Sequence, residues 1–213
     1  VNAERSDVVI VVLGGNNRTC GENKSRTSLD LPGHQLRLLQ EVVKTGKPVV
    51  LVLVNGRPLS VNWADKNVTA IIEAWYPGSQ GGRALADILF GDYNPGGKLT
   101  VTFPKTVGQI PFNFPCKPSS QVDGGSKVGL MGNMSRINGA LYPFGYGLSY
   151  TSFDIKGKLL ESTHEEIVVE ANVTNNGNMS GKEVVQVYIE APQGKLGKPV
   201  RALVGFKKTG IIK

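Results

Sequence analysis

The densest collection of groups able to do chemistry lies in one polar loop, Gly14-Gly-Asn-Asn-Arg-Thr-Cys-Gly-Glu-Asn-Lys-Ser-Arg26. It holds a single carboxylate, Glu22, among the cations Arg18, Lys24 and Arg26, and a single thiol, Cys20. A positioned carboxyl can give or take a proton during a reaction. The plainer reading of the same residues is a solvated surface carboxylate among basic neighbours, which contributes little. The loop is no phosphate cradle, because it lacks GxxxxGKS/T and no GxGxxG opens the helix after it. Other chemistries fail on their parts. Gly147-Leu-Ser-Tyr-Thr151 lacks the last glycine of a GxSxG elbow. The two histidines, His34 and His164, sit at a helix start and in a charged turn, so a Ser/His/Asp triad is not assembled from them. Cys20 and Cys116 form no CxxC and have no His-rich surroundings, which leaves a disulfide or two free thiols but no metal or thioredoxin-like centre.

The elements that must position this loop alternate strand and helix. Val8 to Leu13 is a continuous apolar, β-branched run, the pattern of a strand covered on both faces. Pro32 suits a first helical turn, Leu36, Leu39 and Val43 share a helix face, and Gly46 stops the helix before Pro48. Pro48 to Val54 and Ala70 to Trp75 are further buried strands. Ser79 caps a helix with the stripe Leu85, Ile88 and Leu89, stopped by Gly91, and Lys98 to Phe103 returns as a strand after the turn Asp92-Tyr-Asn-Pro-Gly-Gly97. This alternation predicts an α/β domain over residues 1–140, Rossmann-like, with a mainly parallel sheet and helices packed on it. In such sheets ligands bind beyond the carboxyl ends of the strands, where the Glu22 loop emerges.

From about 104 to 140 the period dissolves into Gly, Pro, Ser and Asn, a length that marks a long functional loop. Residues 141–153 read as a Gly/aromatic linker. Its Tyr142, Phe144, Tyr146 and Tyr150 suit packing between domains better than a sugar-stacking platform. From 154 to 213 the period becomes two: Val169, Ala171 and Val173 share one face, and Val185, Val187 and Ile189 another, with Asn175-Asn-Gly177 opening the turn between them. That is an incomplete all-β, immunoglobulin-like domain, since only about four strands fit before Lys213 against roughly seven in a full sandwich.

Composition excludes more than it assigns. The 24 basic and 17 acidic residues leave a net charge of +7, but the basic residues are scattered without interleaved aromatics, so a solvated surface is favoured over a nucleic-acid partner. No apolar run approaches the ~20 residues of a membrane span. A core strand this close to Val1 reads as a piece of something longer. Six Asn-x-Ser/Thr sequons, at Asn17, Asn23, Asn67, Asn133, Asn172 and Asn178, point weakly to a secreted or periplasmic protein.

Three composite motifs carry a resemblance. Gly78-Ser-Gln-Gly-Gly-Arg-Ala-Leu-Ala-Asp-Ile-Leu-Phe-Gly-Asp-Tyr-Asn-Pro-Gly-Gly-Lys-Leu99 with Thr102-Phe-Pro104, Arg26-Thr-Ser-Leu-Asp-Leu-Pro-Gly-His-Gln35, and Tyr142-Pro-Phe-Gly-Tyr-Gly-Leu-Ser-Tyr-Thr-Ser-Phe153 together resemble glycoside hydrolase family 3, in its order and spacing over essentially the whole chain. The resemblance implies the last two parts of a β-glucosidase or β-xylosidase: an α/β sandwich domain and a truncated fibronectin type III-like domain. The preceding part would be a catalytic barrel. It further implies that Glu22, four residues before the Arg of the Ser25-Arg26 pair, is the catalytic acid/base, that the nucleophilic Asp lies on the barrel, and that no cofactor or metal is needed. Asn23-Lys24 stand where many relatives have Gly or an aromatic.

A retaining glycosidase uses two carboxyls ~5–5.5 Å apart, one attacking the anomeric carbon and one protonating the leaving oxygen. The acid of such a pair must hold its proton, which a neighbouring carboxylate favours and nearby cations oppose. The implied partners are a β-linked oligosaccharide or glycoside and the barrel of the same chain. A non-catalytic scaffold or carbohydrate-binding module, with Glu22 incidental, is the competing reading.

Overall fold

The computed structural model describes residues 2–117, 137 and 139–213. Two compact units are present. The first comprises residues 2–85, Val101–Asn113 and the described residues up to Pro143; the second comprises Ala86–Thr100, 114–117 and Phe144–Lys213. Much of the expected long loop lies outside the described residues. Its beginning includes a 3-10 turn at Val107–Gln109, closed by a capping box in which Thr106 and Gln109 exchange hydrogen bonds.

The first unit is built on a parallel sheet of three strands in chain order, β1 (Val9–Gly14), β2 (Val49–Val54) and β3 (Ala70–Glu73). Parallel neighbours need crossovers, and these are α1 (Gln35–Val43) and α2 (Asn62–Asn67). The period of 3.6 places Leu36, Leu39 and Val43 on the inner face of α1, where Leu39 is fully buried against Val11, Leu13, Val49, Leu51 and Leu53. The short α2 has too little length to show a period and was not legible in the sequence; Ala64 and the flanking Val61 join the same core. A third helix, α3 (Gly81–Leu89), stops where Gly91 takes a φ of +82°.

Two expectations need correction. The β1 run is apolar throughout, yet only one face is covered: Val11 and Leu13 are buried, while Ile10 and Val12 are 47% and 58% exposed. β1 is an edge strand of the described sheet, whereas the central β2 is nearly buried throughout. Lys98 to Phe103 does not join the parallel sheet. Phe103 instead bridges Tyr142 in antiparallel fashion, its ring 5.8 Å from those of both Trp75 and Tyr142. The demand for burial of that ring holds the segment there.

The second unit contains β4 (Phe153–Ser162) paired antiparallel with β5 (Ile167–Asn175), and β6 (Val184–Ile189) paired antiparallel with β7 (Ala202–Lys208). Both ribbons carry bulges, at Leu159/Glu161 and at Val187/Tyr188. An α/β unit followed by antiparallel β-ribbons is therefore the architecture, as the change of period predicts.

Candidate active site

The site begins where β1 ends. Gly14 has a φ of +133°, and a Cβ on it would overlap the carbonyl oxygen of Val54 on β2, so only glycine fits. The first residue of α1 locks this exit: Gln35 Oε1 accepts the Gly14 N–H at 2.8 Å and Gln35 Nε2 donates to the Gly14 carbonyl at 2.9 Å. The loop then folds on Asn16, whose Oδ1 accepts the Arg18 N–H at 2.9 Å and whose carbonyl accepts the Cys20 N–H at 2.9 Å.

Glu22 follows on a tight turn, Gly21 to Lys24, closed by the Lys24 N–H donating to the Gly21 carbonyl at 3.2 Å. Asn23 occupies the third position with a φ of +57°, which Asn tolerates better than most side chains. Glu22, at the second position, is exposed, and among the described residues no hydrogen bond or ion pair engages its carboxylate. Its neighbours in sequence are engaged elsewhere. Arg26 Nε donates to the Ser28 carbonyl at 3.0 Å, and Lys24 offers its carbonyl to Arg57 Nη2 at 2.8 Å.

Beneath the loop lies a small cleft lined by Gly15, Thr19, Cys20, Asn55, Gly56 and Arg57. The Cys20 thiol lies by the Tyr76 hydroxyl and the Arg57 guanidinium, and these neighbouring donors hold it below its ordinary range although burial pushes the other way. The same contact raises the Tyr76 hydroxyl. Gly56 makes room for this: a Cβ there would come within 2.7 Å of the Tyr76 ring and 2.8 Å of the Cys20 sulfur. Both cysteines are free thiols.

One more carboxylate sits at the carboxyl end of the sheet. Glu73, the last residue of β3, accepts the Trp75 N–H at 2.9 Å and Asn55 Nδ2 at 3.1 and 3.2 Å. Burial pushes its carboxyl up to about 7, against the pull of those donors. Asn55 is 1% exposed and fully used: its N–H donates to the Trp75 carbonyl, and its Oδ1 accepts the Arg57 N–H at 3.2 Å. The sequence offered two signals for these residues: a lone acid in the apolar run Ala70 to Trp75, and a turn-forming Asn55-Gly56-Arg57-Pro58 after a buried strand.

The aromatic stretch packs rather than forming an open platform. Tyr142 donates to Asp65 at 2.7 Å, Phe144 stacks on Phe114 at 4.5 Å, and Tyr150 donates to the Ile88 carbonyl at 2.9 Å, each within its own unit. Among the described residues no three His, Cys, Asp or Glu side chains gather as a metal site would require, and no helix is long and apolar enough to cross a membrane.

Residues 1–150 match the model for the glycosyl hydrolase family 3 C-terminal domain, and residues 183–213 match a fibronectin type III-like domain. The chain belongs to glycoside hydrolase family 3. A β-xylosidase of Formosa agariphila is 41% identical over 210 residues, and a periplasmic β-glucosidase of Salmonella typhimurium is 40% identical over 217 residues. Each alignment takes in 97% of this chain but only 28% of the relative, so this family 3 chain spans little more than a quarter of those proteins. In structure it is similar to a β-glucosidase from Listeria innocua in complex with isofagomine, with a TM-score of 0.88 and 36% identity, covering 99% of this chain and 30% of that one.

Proposed function

We propose that this chain is the C-terminal part of a retaining exo-β-glycosidase that removes terminal β-D-glucosyl or β-D-xylosyl residues, and that Glu22 is its acid/base. The observation that carries the assignment is Glu22 itself. It is a carboxylate left unengaged on a turn whose surroundings are fixed by hydrogen bonds, at the carboxyl end of a parallel sheet. The names of the relatives support the two sugars, and the periplasmic Salmonella relative supports a secreted or periplasmic setting.

A single carboxyl does not suffice for double displacement; the family resemblance implies that the nucleophilic Asp lies on an N-terminal barrel of the full-length protein. That Asp attacks the anomeric carbon as the glycosidic C–O bond breaks, and Glu22 gives its proton to the departing oxygen. Glu22, now a carboxylate, takes a proton from water as the water attacks the glycosyl-enzyme and frees the Asp. The loss of the nucleophile's charge on glycosylation lets one residue serve both roles.

The test is Glu22→Gln in the full-length enzyme. Disaccharide hydrolysis, with its poor alkoxide leaving group, should fall by roughly 10²–10⁴-fold, the usual worth of general acid–base assistance. Glycosylation by a dinitrophenyl glycoside needs little protonation and should survive. Disaccharide hydrolysis within a few-fold of the parent would refute the assignment and favour a scaffold or carbohydrate-binding role.

A further inference from the structure

The turn that presents Glu22 is held at its far end by the side chain of Arg57. Arg57 Nη2 donates to the carbonyl of Lys24, which closes the turn, at 2.8 Å, and the guanidinium lines the same small cleft as Cys20, which precedes the turn. Arg57 is in turn set by its neighbours. Its N–H donates to Asn55 Oδ1 at 3.2 Å, and Asn55 Nδ2 donates to both oxygens of Glu73 at 3.1 and 3.2 Å. The run of contacts leads from the end of β3, through the end of β2, to the loop leaving β1. Arg57 also keeps a buried Nε with no partner among the described residues, a cost that folding alone gives no reason to retain. A planar, pre-organised guanidinium holds a loop carbonyl in a fixed direction, which a lysine ammonium on a flexible stem does poorly.

We infer that Arg57, oriented by Asn55 and Glu73, is the positioning residue that fixes the Gly21–Lys24 turn and so aims the Glu22 carboxyl at the leaving oxygen. This rests on the acid/base role proposed for Glu22. Arg57 moves no proton itself; it acts only through the carboxyl it places. Its removal should therefore harm the steps that need Glu22 and spare those that do not.

A double-mutant cycle in the full-length enzyme tests this, with a β-linked disaccharide and a dinitrophenyl β-glycoside as the two substrates. A misplacement of about 1 Å costs around 10²-fold, so Arg57→Ala should lower kcat/KM on the disaccharide by roughly 10- to 100-fold. On the dinitrophenyl glycoside it should leave the glycosylation step nearly unchanged. In a Glu22→Gln background the same substitution should add almost nothing, because the group it positions is gone. Arg57→Lys, which keeps the charge without the fork, should show the same pattern at smaller amplitude, and it carries the comparison if Arg57→Ala does not fold. Equal losses on the two substrates, or an undiminished loss in the Glu22→Gln background, would overturn the inference while leaving Glu22 in its role. Should Glu22→Gln itself show no dependence on the leaving group, the acid/base reading falls and the inference with it.

Discussion

Two polar clusters, one in each unit, use hydrogen bonds in opposite ways. In the second unit the Asn94–Lys98 segment is tied down completely. Asn94 Oδ1 accepts Ser149 Oγ and the Tyr150 N–H, both at 2.8 Å, and Asn94 Nδ2 donates to the Ser180 carbonyl at 3.2 Å. Lys98 Nζ lies 2.9 Å from Glu183 and 2.8 Å from the Gly147 carbonyl, the charged side chains being 15% and 12% exposed. Glycines close the packing: a Cβ on Gly147 would overlap the Gly97 carbonyl, and one on Gly96 would come within 2.5 Å of the Lys182 carbonyl. In the first unit the chain of contacts from Glu73 through Asn55 and Arg57 ends at a turn whose one carboxylate is unengaged. The first arrangement holds an architecture together. The second leaves a carboxylate held out and unengaged.

That contrast predicts a separation of effects, stability without chemistry in one cluster and chemistry with little stability at the exposed carboxylate of the other. The largest stability effect should come from Glu183→Ala, which strands a nearly buried Lys98: about 3–5 kcal/mol by chemical denaturation. Per folded molecule, the leaving-group dependence of turnover should stay as in the parent. Glu22→Gln, at an exposed site, should change stability by no more than about 0.5 kcal/mol while removing acid catalysis. If Glu183→Ala reproduced the leaving-group signature of Glu22→Gln, the division between the clusters would fail.

Gly14→Ala should lie between these extremes. Its φ of +133° alone costs a side-chained residue about 1–3 kcal/mol, and the overlap with Val54 adds to it. Because Gly14 is the root of the Glu22 loop, this variant should lose both stability and acid catalysis, measured by denaturation and by the disaccharide-to-dinitrophenyl ratio. An intact ratio would show that the loop's geometry is set further along, at Arg57.

The smallest effect is a pH dependence. Burial raises the Glu73 carboxyl to about 7 in the folded chain, above its value in the unfolded one. The folded state thus keeps a proton that the unfolded state has lost, so this contribution to stability is complete below the ordinary glutamic-acid range and disappears as pH rises through about 7. Glu73 is only half-buried, so solvent screening should reduce the effect to about 1 kcal/mol. Glu73→Gln should flatten the stability profile over that window, and an unchanged profile would remove Glu73 as its source.

The same contrast explains what was legible in the sequence. The motifs that announce the family, Gly78 to Leu99 and Tyr142 to Phe153, are dense with glycine, asparagine and aromatics, and several of these positions are fixed by close approach or hydrogen bonds, as at Gly81, Gly96, Gly147 and Asn94. The strands β1 to β3 were visible as apolar runs; the exposure of one face of β1 and the partial exposure of β3 were not, since a run of apolar residues looks the same whichever face is covered. The proposal of Glu22 came from the family resemblance at Ser25-Arg26 rather than from its surroundings, because an exposed turn constrains little sequence. Its anchors carried local signals, but their pairing was invisible: Arg57 lies 33 positions from Lys24, and Asn55 lies 18 from Glu73. Such partners are joined only when β1, β2 and β3 lie side by side, a fact of tertiary structure that no local pattern encodes.

The most direct measurement of the central claim is azide rescue of Glu22→Gln in the full-length enzyme, turning over a dinitrophenyl β-glycoside. Without a general base the variant should stall as a glycosyl-enzyme on the barrel's Asp. Azide needs no base to attack, so it should restore turnover and release a β-glycosyl azide, with net retention at the anomeric carbon. Turnover that ignores azide and yields only the free sugar would contradict the assignment of Glu22 as the acid/base.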